Sequence, residues 1–238
     1  QWDAIFYDGR QVQLERILPA YLKPRRWFGS KTRKIKSAGI EDLVRLDTPL
    51  GLAYLVLVQV QYVEGNAELY SLPMAYAEGE HAAHLLGELR HTVIARLRVQ
   101  SNQEEPGLLF DPLGDRDFAR VMIDLIATRK RVRGERGGEL SATPTRALRA
   151  ILNGTSVSGL EPNILRGEQS NSSVNFGNKL IMKLFRKIET GVNPDLEIGR
   201  YLTDEQGFAH TPPVTGAIEY LREKSEPLTL AILQGFVE

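Results

Sequence analysis

The sequence contains no cysteine, carries no net charge and has no long apolar run, and each of these absences excludes a class of protein. Without cysteine among its 238 residues, the chain can form neither a disulfide framework nor a thiol site. Its 30 lysines and arginines balance 30 aspartates and glutamates, so a polyanionic partner is not indicated. The longest apolar stretch is far shorter than the ~20 residues that span a bilayer, and no signal peptide is visible. We therefore expect a cytoplasmic protein with no nucleic-acid partner and no membrane partner.

The residues that are present predict a folded chain with both helices and strands. Hydrophobic residues make up 42% of the sequence, which is enough for one large domain or two small ones. Apolar periodicity predicts a short helix over 11–22. Alternating and β-branched residues predict strands over 35–46, 52–63 and 67–77. The first part of the chain should therefore be a helix against a curved antiparallel sheet.

The second part of the chain follows a different order of elements. Apolar residues on one face predict a long helix over 115–131, and the pattern from 157 to 237 reads strand, loop, strand, strand, helix, strand, strand. That order is the order of a kinase N-lobe. Weaker patterns predict strands over 91–98 and 107–110 and a short helix around 144–152. The basic run 129–133 is interpreted as a solvated helix end rather than as a nucleic-acid surface.

The predicted strand LIMKLF, residues 180–185, contains a single lysine, Lys183, among apolar residues. Burying an ammonium group without a partner is costly. In a kinase nucleotide site a strand lysine holds the ATP phosphates, a loop covers them, and a helix glutamate holds the lysine. A plain hairpin with a snorkelling lysine remains the alternative.

A helix and a polar loop complete the predicted site. Asn193, Pro194 and Asp195 predict a helix start, as N-cap, first residue and first-turn acid. Glu197 on that helix follows Lys183 by fourteen residues and could reach back to it. The loop has neither a G-x-G-x-x-G nor a Walker A sequence, but its backbone N–H groups and short side chains can cradle phosphate. Its residues are Gln169, Ser170, Asn171, Ser172 and Ser173.

Six blocks of the sequence carry a more specific signal. They are LPAYLKPRRWFGSK (18–31), EQSNSSV (168–174), LIMKLFR (180–186), GVNPDLEIGRYL (191–202), HTPP (210–213) and LAILQGFV (230–237). In these blocks, and more loosely over 85–160, the chain resembles the bacterial maltokinases, which also occur fused to trehalose synthase. The resemblance implies an α+β fold with two parts. A cap subdomain with a curved antiparallel sheet and helix would span 1–92. An intermediate subdomain and an N-lobe like those of protein kinases and aminoglycoside phosphotransferases would span 93–238.

The resemblance also implies an activity for the intact protein, a kinase that converts ATP and maltose to maltose 1-phosphate and ADP. Its pathway would run from trehalose through maltose to α-glucan, as in glycogen biosynthesis. ATP phosphates would bind at Lys183 and the 169–173 loop, and adenine at the backbone of Gln234, Phe236 and Val237.

The residues that perform the chemistry are expected elsewhere. No H-x-D-type catalytic loop and no D-F-G-like motif occurs in the sequence, so the catalytic aspartate and the Mg²⁺ ligands are expected in a C-terminal lobe. We expect the chain to be an inactive N-terminal portion, with no catalytic residue and no metal ligand of its own. Trehalose synthase, fused or associated, is the expected protein partner.

Two alternatives remain open. The chain could belong to a related kinase for another sugar or an aminoglycoside-like acceptor, because the nucleotide motifs support either substrate equally. It could instead be a non-catalytic module whose cap docks a partner such as trehalose synthase. Within the cap, Trp27 and Phe28 are interpreted as anchors of a small core rather than as a binding surface.

Overall fold

The structure is a computed structural model that describes residues 1–99, 105–165, 171–205, 208, 210–223 and 225–237. The helices are α1 (Gln11–Leu22), α2 (Gly79–Glu88), α3 (Arg116–Ala127), α4 (Arg146–Leu152) and α5 (Pro194–Arg200). Sheet 1 contains β1 (Ile35–Thr48), β2 (Gly51–Tyr62), β3 (Glu68–Ala77), β4 (Val93–Leu97), β5 (Gly107–Phe110) and β11 (Lys187–Ile188). Sheet 2 contains β6 (Arg131–Arg133), β7 (Glu139–Pro144), β8 (Pro162–Leu165), β9 (Asn171–Phe176), β10 (Leu180–Phe185), β12 (Val214–Leu221) and β13 (Leu228–Gly235).

Both sheets are antiparallel, which confirms the predicted α+β class. Sheet 1 has the strand order β1-β2-β3-β5-β4, with β11 added beside β3. Sheet 2 has the order β6-β7-β12-β13-β10-β9-β8. All the pairings between these named strands are antiparallel. Within the described ranges, no helix combines the length and the apolar character needed to cross a membrane.

Helix α3 lies between the two sheets and unites them in one core. Met122 and Ile126 on this helix are completely buried, in the same cluster as Leu55 of sheet 1 and Leu184 of sheet 2. The other face of sheet 1 belongs to a second cluster, in which Val56 packs with residues of α1. Because neighbouring residues of a strand point to opposite faces, β2 contributes to both cores, and its mostly apolar sequence follows from that.

Several elements confirm the sequence predictions, and two differ. Helix α1, strands β1 to β5 and helix α4 lie close to their predicted positions. The helix predicted over 115–131 ends at Ala127, because Arg129 adopts a left-handed conformation with φ of 56° and turns the chain into β6. The glycine-rich turn after it joins β6 and β7 into a hairpin, whereas the sequence predicted only a helix end and a turn.

The predicted boundary at residue 92 falls inside sheet 1. Strands β4, β5 and β11 all belong to this sheet, and all three follow residue 92. Two of them form the β4–β5 hairpin beside β3, and the third arrives from the end of β10. The chain thus returns to the first sheet after it has built most of the second.

A buried carboxylate, Asp42 of β1, ties the two sheets together. Its Oδ1 accepts hydrogen bonds from the backbone N–H groups of Leu43 at 2.7 Å and Arg136 at 2.8 Å. Its Oδ2 accepts from the N–H of Gly138 at 3.1 Å and from the hydroxyl of Tyr220. Burial, followed by this hydrogen bond to Asp42, raises the pKa of Tyr220 to about 12. The turn of the β6–β7 hairpin and strand β12 are therefore both fixed to sheet 1 at one point.

Candidate nucleotide site

The register of sheet 2 shows which side chains share a face with Lys183. Reading across the sheet, Ser173, Lys183, Ile232, Ala217 and Thr143 are directly paired on successive strands. Directly opposed residues of antiparallel strands point to the same face. Lys183 therefore lies on one face of the sheet with a buried serine and a row of small or apolar residues across the neighbouring strands.

Helix α5 covers this same face. The guanidinium of Arg200, at its C-terminal end, donates to the Thr143 hydroxyl at 3.2 Å and pairs with Glu219 at 3.2 Å. The helix begins as predicted, with the Asn193 side chain accepting a hydrogen bond from the Asp195 N–H at 2.9 Å and with proline next. The strand lysine and the helix thus lie on one side of sheet 2, as a kinase-like site requires.

The expected ion pair between Lys183 and Glu197 is not formed among the described residues. Lys183 is half-buried, but Glu197 is exposed to solvent. The preceding residue, Leu196, is completely buried. Neighbouring residues on a helix do not face the same way, so the helix that buries Leu196 directs Glu197 outwards. The predicted role of Glu197 as the residue that orients Lys183 finds no support in this geometry.

Three of the five residues predicted to form a phosphate-covering loop belong to a strand. Gln169 and Ser170 lie outside the described residues. Asn171, Ser172 and Ser173 are not loop residues but the first residues of β9, where they pair with β10. They are extended because the β9–β10 hairpin continues past its apolar residues to the end of β10. The prediction of a loop is therefore corrected to a strand for residues 171–173.

The start of β9 is connected to sheet 1 through Arg186, which immediately follows β10. Its Nε donates to the Ser172 hydroxyl at 3.0 Å, and its guanidinium carbon lies over the Trp27 ring, 4.9 Å from the ring centroid. Its Nη1 lies 2.8 Å from the Asp111 carboxylate, a close ion pair without the angles of a directed hydrogen bond. Both side chains of this pair are about 5% exposed. Burial first, and then the nearby Asp111 charge, raises the pKa of Tyr21.

A second junction follows where β11 joins β3. Lys187 of β11 lies 3.0 Å from the carboxylate of Glu68, which also accepts hydrogen bonds from the hydroxyls of Ser30, Tyr62 and Tyr70. Burial alone would raise the pKa of Glu68, but the hydrogen bonds from these three hydroxyls and from Lys187 lower it to about 2. The strand that carries Lys183 is therefore followed by two successive residues that anchor the chain to sheet 1.

The residues predicted to meet adenine lie at the end of β13. Gln234 is half-buried and is paired with β10, whereas Val237 beyond the strand is 64% exposed. The N–H of Phe236 donates to the carbonyl of Lys179 at 2.9 Å. The Phe236 N–H is therefore already bonded to the β9–β10 hairpin. Of the three predicted positions, Val237 is the best placed to donate its backbone N–H to a ligand.

The described residues do not assemble a magnesium site. No group of three or more histidines, aspartates or glutamates within the described ranges could hold a metal ion. Phe28 behaves as the core interpretation predicts, since it is completely buried and stacks on Tyr70 at 5.1 Å. Trp27 is half-buried and packs against the same core. Sequence reasoning missed Arg186 and Asp111, because no motif links residues so far apart in the chain.

Comparison with known proteins finds a family-model match over part of the chain. Residues 21–110 match the family model described as the maltokinase N-terminal cap domain. Among solved structures, the chain is similar to a glucosamine kinase in complex with glucosamine, ADP and inorganic phosphate, with 14% sequence identity and a TM-score of 0.49. That comparison covers 92% of this chain and 39% of the glucosamine kinase chain. The predicted resemblance to the maltokinases is confirmed for residues 21–110, the segment that is similar to their N-terminal cap domain.

Proposed function

We propose that this chain supplies the cap and the nucleotide-binding lobe of a maltokinase-type sugar kinase. The match of residues 21–110 to the maltokinase cap domain carries the proposal. The reaction of the whole enzyme would transfer the terminal phosphoryl group of ATP to maltose, giving maltose 1-phosphate and ADP. The proposed metabolic setting is the conversion of trehalose and maltose to α-glucan, with trehalose synthase, fused or associated, as the partner.

The geometry around Lys183 supports the nucleotide part of this proposal. The lysine is half-buried on the helix-covered face of sheet 2, and no ion pair of the described residues includes it. A phosphate group would provide the counter-charge, and burial would strengthen the attraction relative to water. In phosphoryl transfer the protein contributes mainly position and charge stabilisation, and Lys183 would contribute both at the phosphates.

The rest of the proposed chemistry needs groups that the described residues do not bring together. Magnesium, when bound with ATP, would neutralise charge on the phosphates. We propose that its ligands and the aspartate that receives the maltose hydroxyl proton belong to a further lobe of the kinase. The 238-residue chain by itself should therefore bind nucleotide weakly and form no maltose 1-phosphate.

Equilibrium binding of ATP and ADP to the chain tests the proposal. Lys183→Met should weaken binding about 10- to 100-fold, the usual effect of losing a hydrogen bond to a charged group. Lys36→Met is the matched control, since Lys36 is an exposed strand lysine on β1 of sheet 1. Binding that is undetectable for the unaltered chain, or equal for both variants, would contradict the nucleotide site.

A further inference from the structure

The described residues form a large cavity that includes Thr143, three strands from Lys183 on the same face of sheet 2, but not Lys183 itself. Its volume is about 960 Å³, and it lies between helix α4, the chain that follows α3, the end of β7 and the end of α5. Four arginines line it: Arg129, Arg146, Arg149 and Arg200. Three threonines and a serine add hydroxyl groups to the same wall, and its described lining contains no aspartate or glutamate. We name this cavity the arginine pocket.

The charge of the arginine pocket differs sharply from that of the chain. Acidic and basic residues are equal in number in the whole sequence, yet the pocket gathers four cations without an acid among its described lining. Arginines that line one cavity would all attract an anion bound between them. The pocket therefore has the electrostatic character of an anion site.

The individual arginines support this interpretation. No ion pair among the described residues includes Arg129, Arg146 or Arg149. Arg200 is positioned by its contacts with Thr143 and Glu219. Three guanidinium groups are thus available to a ligand, and a fourth is held at the edge of the cavity. The planar guanidinium matches the oxygens of a phosphate group in a bidentate contact.

The remaining wall indicates what else the ligand contains. Ala127, Pro144, Leu148 and Leu152 contribute apolar surface between the arginines and the hydroxyl groups. The volume lies at the upper end of the ~300–1,000 Å³ usual for small-molecule sites. Inorganic phosphate would fill little of such a space. The lining suits a phosphate group attached to an uncharged body that carries both hydroxyl groups and apolar faces.

We propose that the arginine pocket binds a phosphorylated small molecule, such as a sugar phosphate, independently of the nucleotide site. None of Lys183, Gln234, Phe236 and Val237 lines it. The pocket also does not extend along the basic run that contains Arg129. Arg131, two residues further on, is not part of its wall and instead pairs with Glu139 at 3.5 Å. A compact ligand therefore fits the arrangement better than an extended polyanion.

The test is a calorimetric titration of the 238-residue chain with glucose 6-phosphate, inorganic phosphate and glucose. Glucose 6-phosphate should bind more tightly than inorganic phosphate, and its binding should weaken with added salt. The double variant Arg146→Gln/Arg149→Gln should weaken it about 100-fold or more, since two charged contacts are lost. Arg10→Gln/Arg16→Gln is the matched control, because both arginines are exposed on the distant α1 side and the net charge changes equally. Its binding should be unchanged.

Two further variants keep the result interpretable. Arg129→Asn should also weaken binding, and asparagine tolerates the left-handed backbone found at this position. Lys183→Met should leave glucose 6-phosphate binding intact, which separates this pocket from the proposed nucleotide site. The proposal is overturned by equal affinities for glucose 6-phosphate and inorganic phosphate, by equal losses in the two double variants, or by loss of binding in Lys183→Met. Absence of detectable glucose 6-phosphate binding to the unaltered chain would overturn it as well.

Discussion

Replacing Asp42 by asparagine should strongly destabilise the junction between the two sheets. The carboxylate is completely buried and accepts hydrogen bonds from three backbone N–H groups and one hydroxyl. An asparagine offers one acceptor oxygen in place of two, and its NH₂ group would face the donors on the other side. With the NH₂ group on the Tyr220 side, the hydroxyl can turn to accept from it, so the Gly138 N–H is the donor left unsatisfied, at about 1–3 kcal/mol. We expect a loss of about 1–3 kcal/mol in the free energy of unfolding, a sizeable part of the ~5–15 kcal/mol of a typical domain.

Urea unfolding, monitored by circular dichroism, measures this loss of stability. Tyr220→Phe removes one of the four donors but leaves Gly138 on the same carboxylate oxygen. It should therefore lower the free energy of unfolding by only about 1 kcal/mol. Asp47→Asn is the control, because the Asp47 side chain is 83% exposed, and it should change stability by less than about 0.5 kcal/mol. An Asp42→Asn loss no larger than that of Tyr220→Phe would refute the reasoning that the carboxylate joins the sheets.

Three other predictions concern the same junctions. Gly138→Ala should destabilise the fold by about 1–3 kcal/mol in urea, because its Cβ would lie 1.9 Å from the Tyr220 hydroxyl; an unchanged midpoint would contradict that crowding. Arg186→Met should lower the free energy of unfolding by about 3–5 kcal/mol, because it leaves the buried Asp111 charge unpaired. The double variant Arg186→Met/Asp111→Leu should recover part of that stability. A double variant less stable than the single one would exclude this explanation. Because its pKa is lowered in the fold, the ionised Glu68 carboxylate contributes its full stabilisation above about pH 4.5. This contribution to stability should disappear as the pH falls towards 2. Glu68→Gln should flatten that acid-side decline in urea midpoints, and identical slopes for both proteins would disprove the assignment.

The sequence predicted those elements whose signals are local. Helix α1 and strands β2 and β3 carry apolar patterns with clear ends, and Asn193 and Pro194 mark the start of α5 directly. The strand that contains Lys183 was predicted to the residue. The end of α3 was wrong because Arg129, a residue with no special turn propensity, adopts the left-handed conformation that ends the helix.

The parts that could not be predicted depend on contacts between distant residues. Nothing near Arg186 in the sequence points to Asp111, and nothing near Asp42 points to the β6–β7 turn. The expected pairing of Lys183 with Glu197 relied on spacing alone, whereas the rotation of α5 is decided by the burial of Leu196. Spacing along the chain fixes which residues lie on a helix, but packing decides which of them face the sheet.

The central claim is that nucleotide binds on the face of sheet 2 that carries Lys183 and is covered by α5. Amide chemical-shift mapping by NMR, with the isotope-labelled 238-residue chain titrated with ADP, tests it most directly. We predict that the largest changes occur at residues 171–173, at Lys183 and at residues 234–237. Shifts confined to the arginine pocket or to sheet 1, or no saturable shifts at all, would contradict the claim.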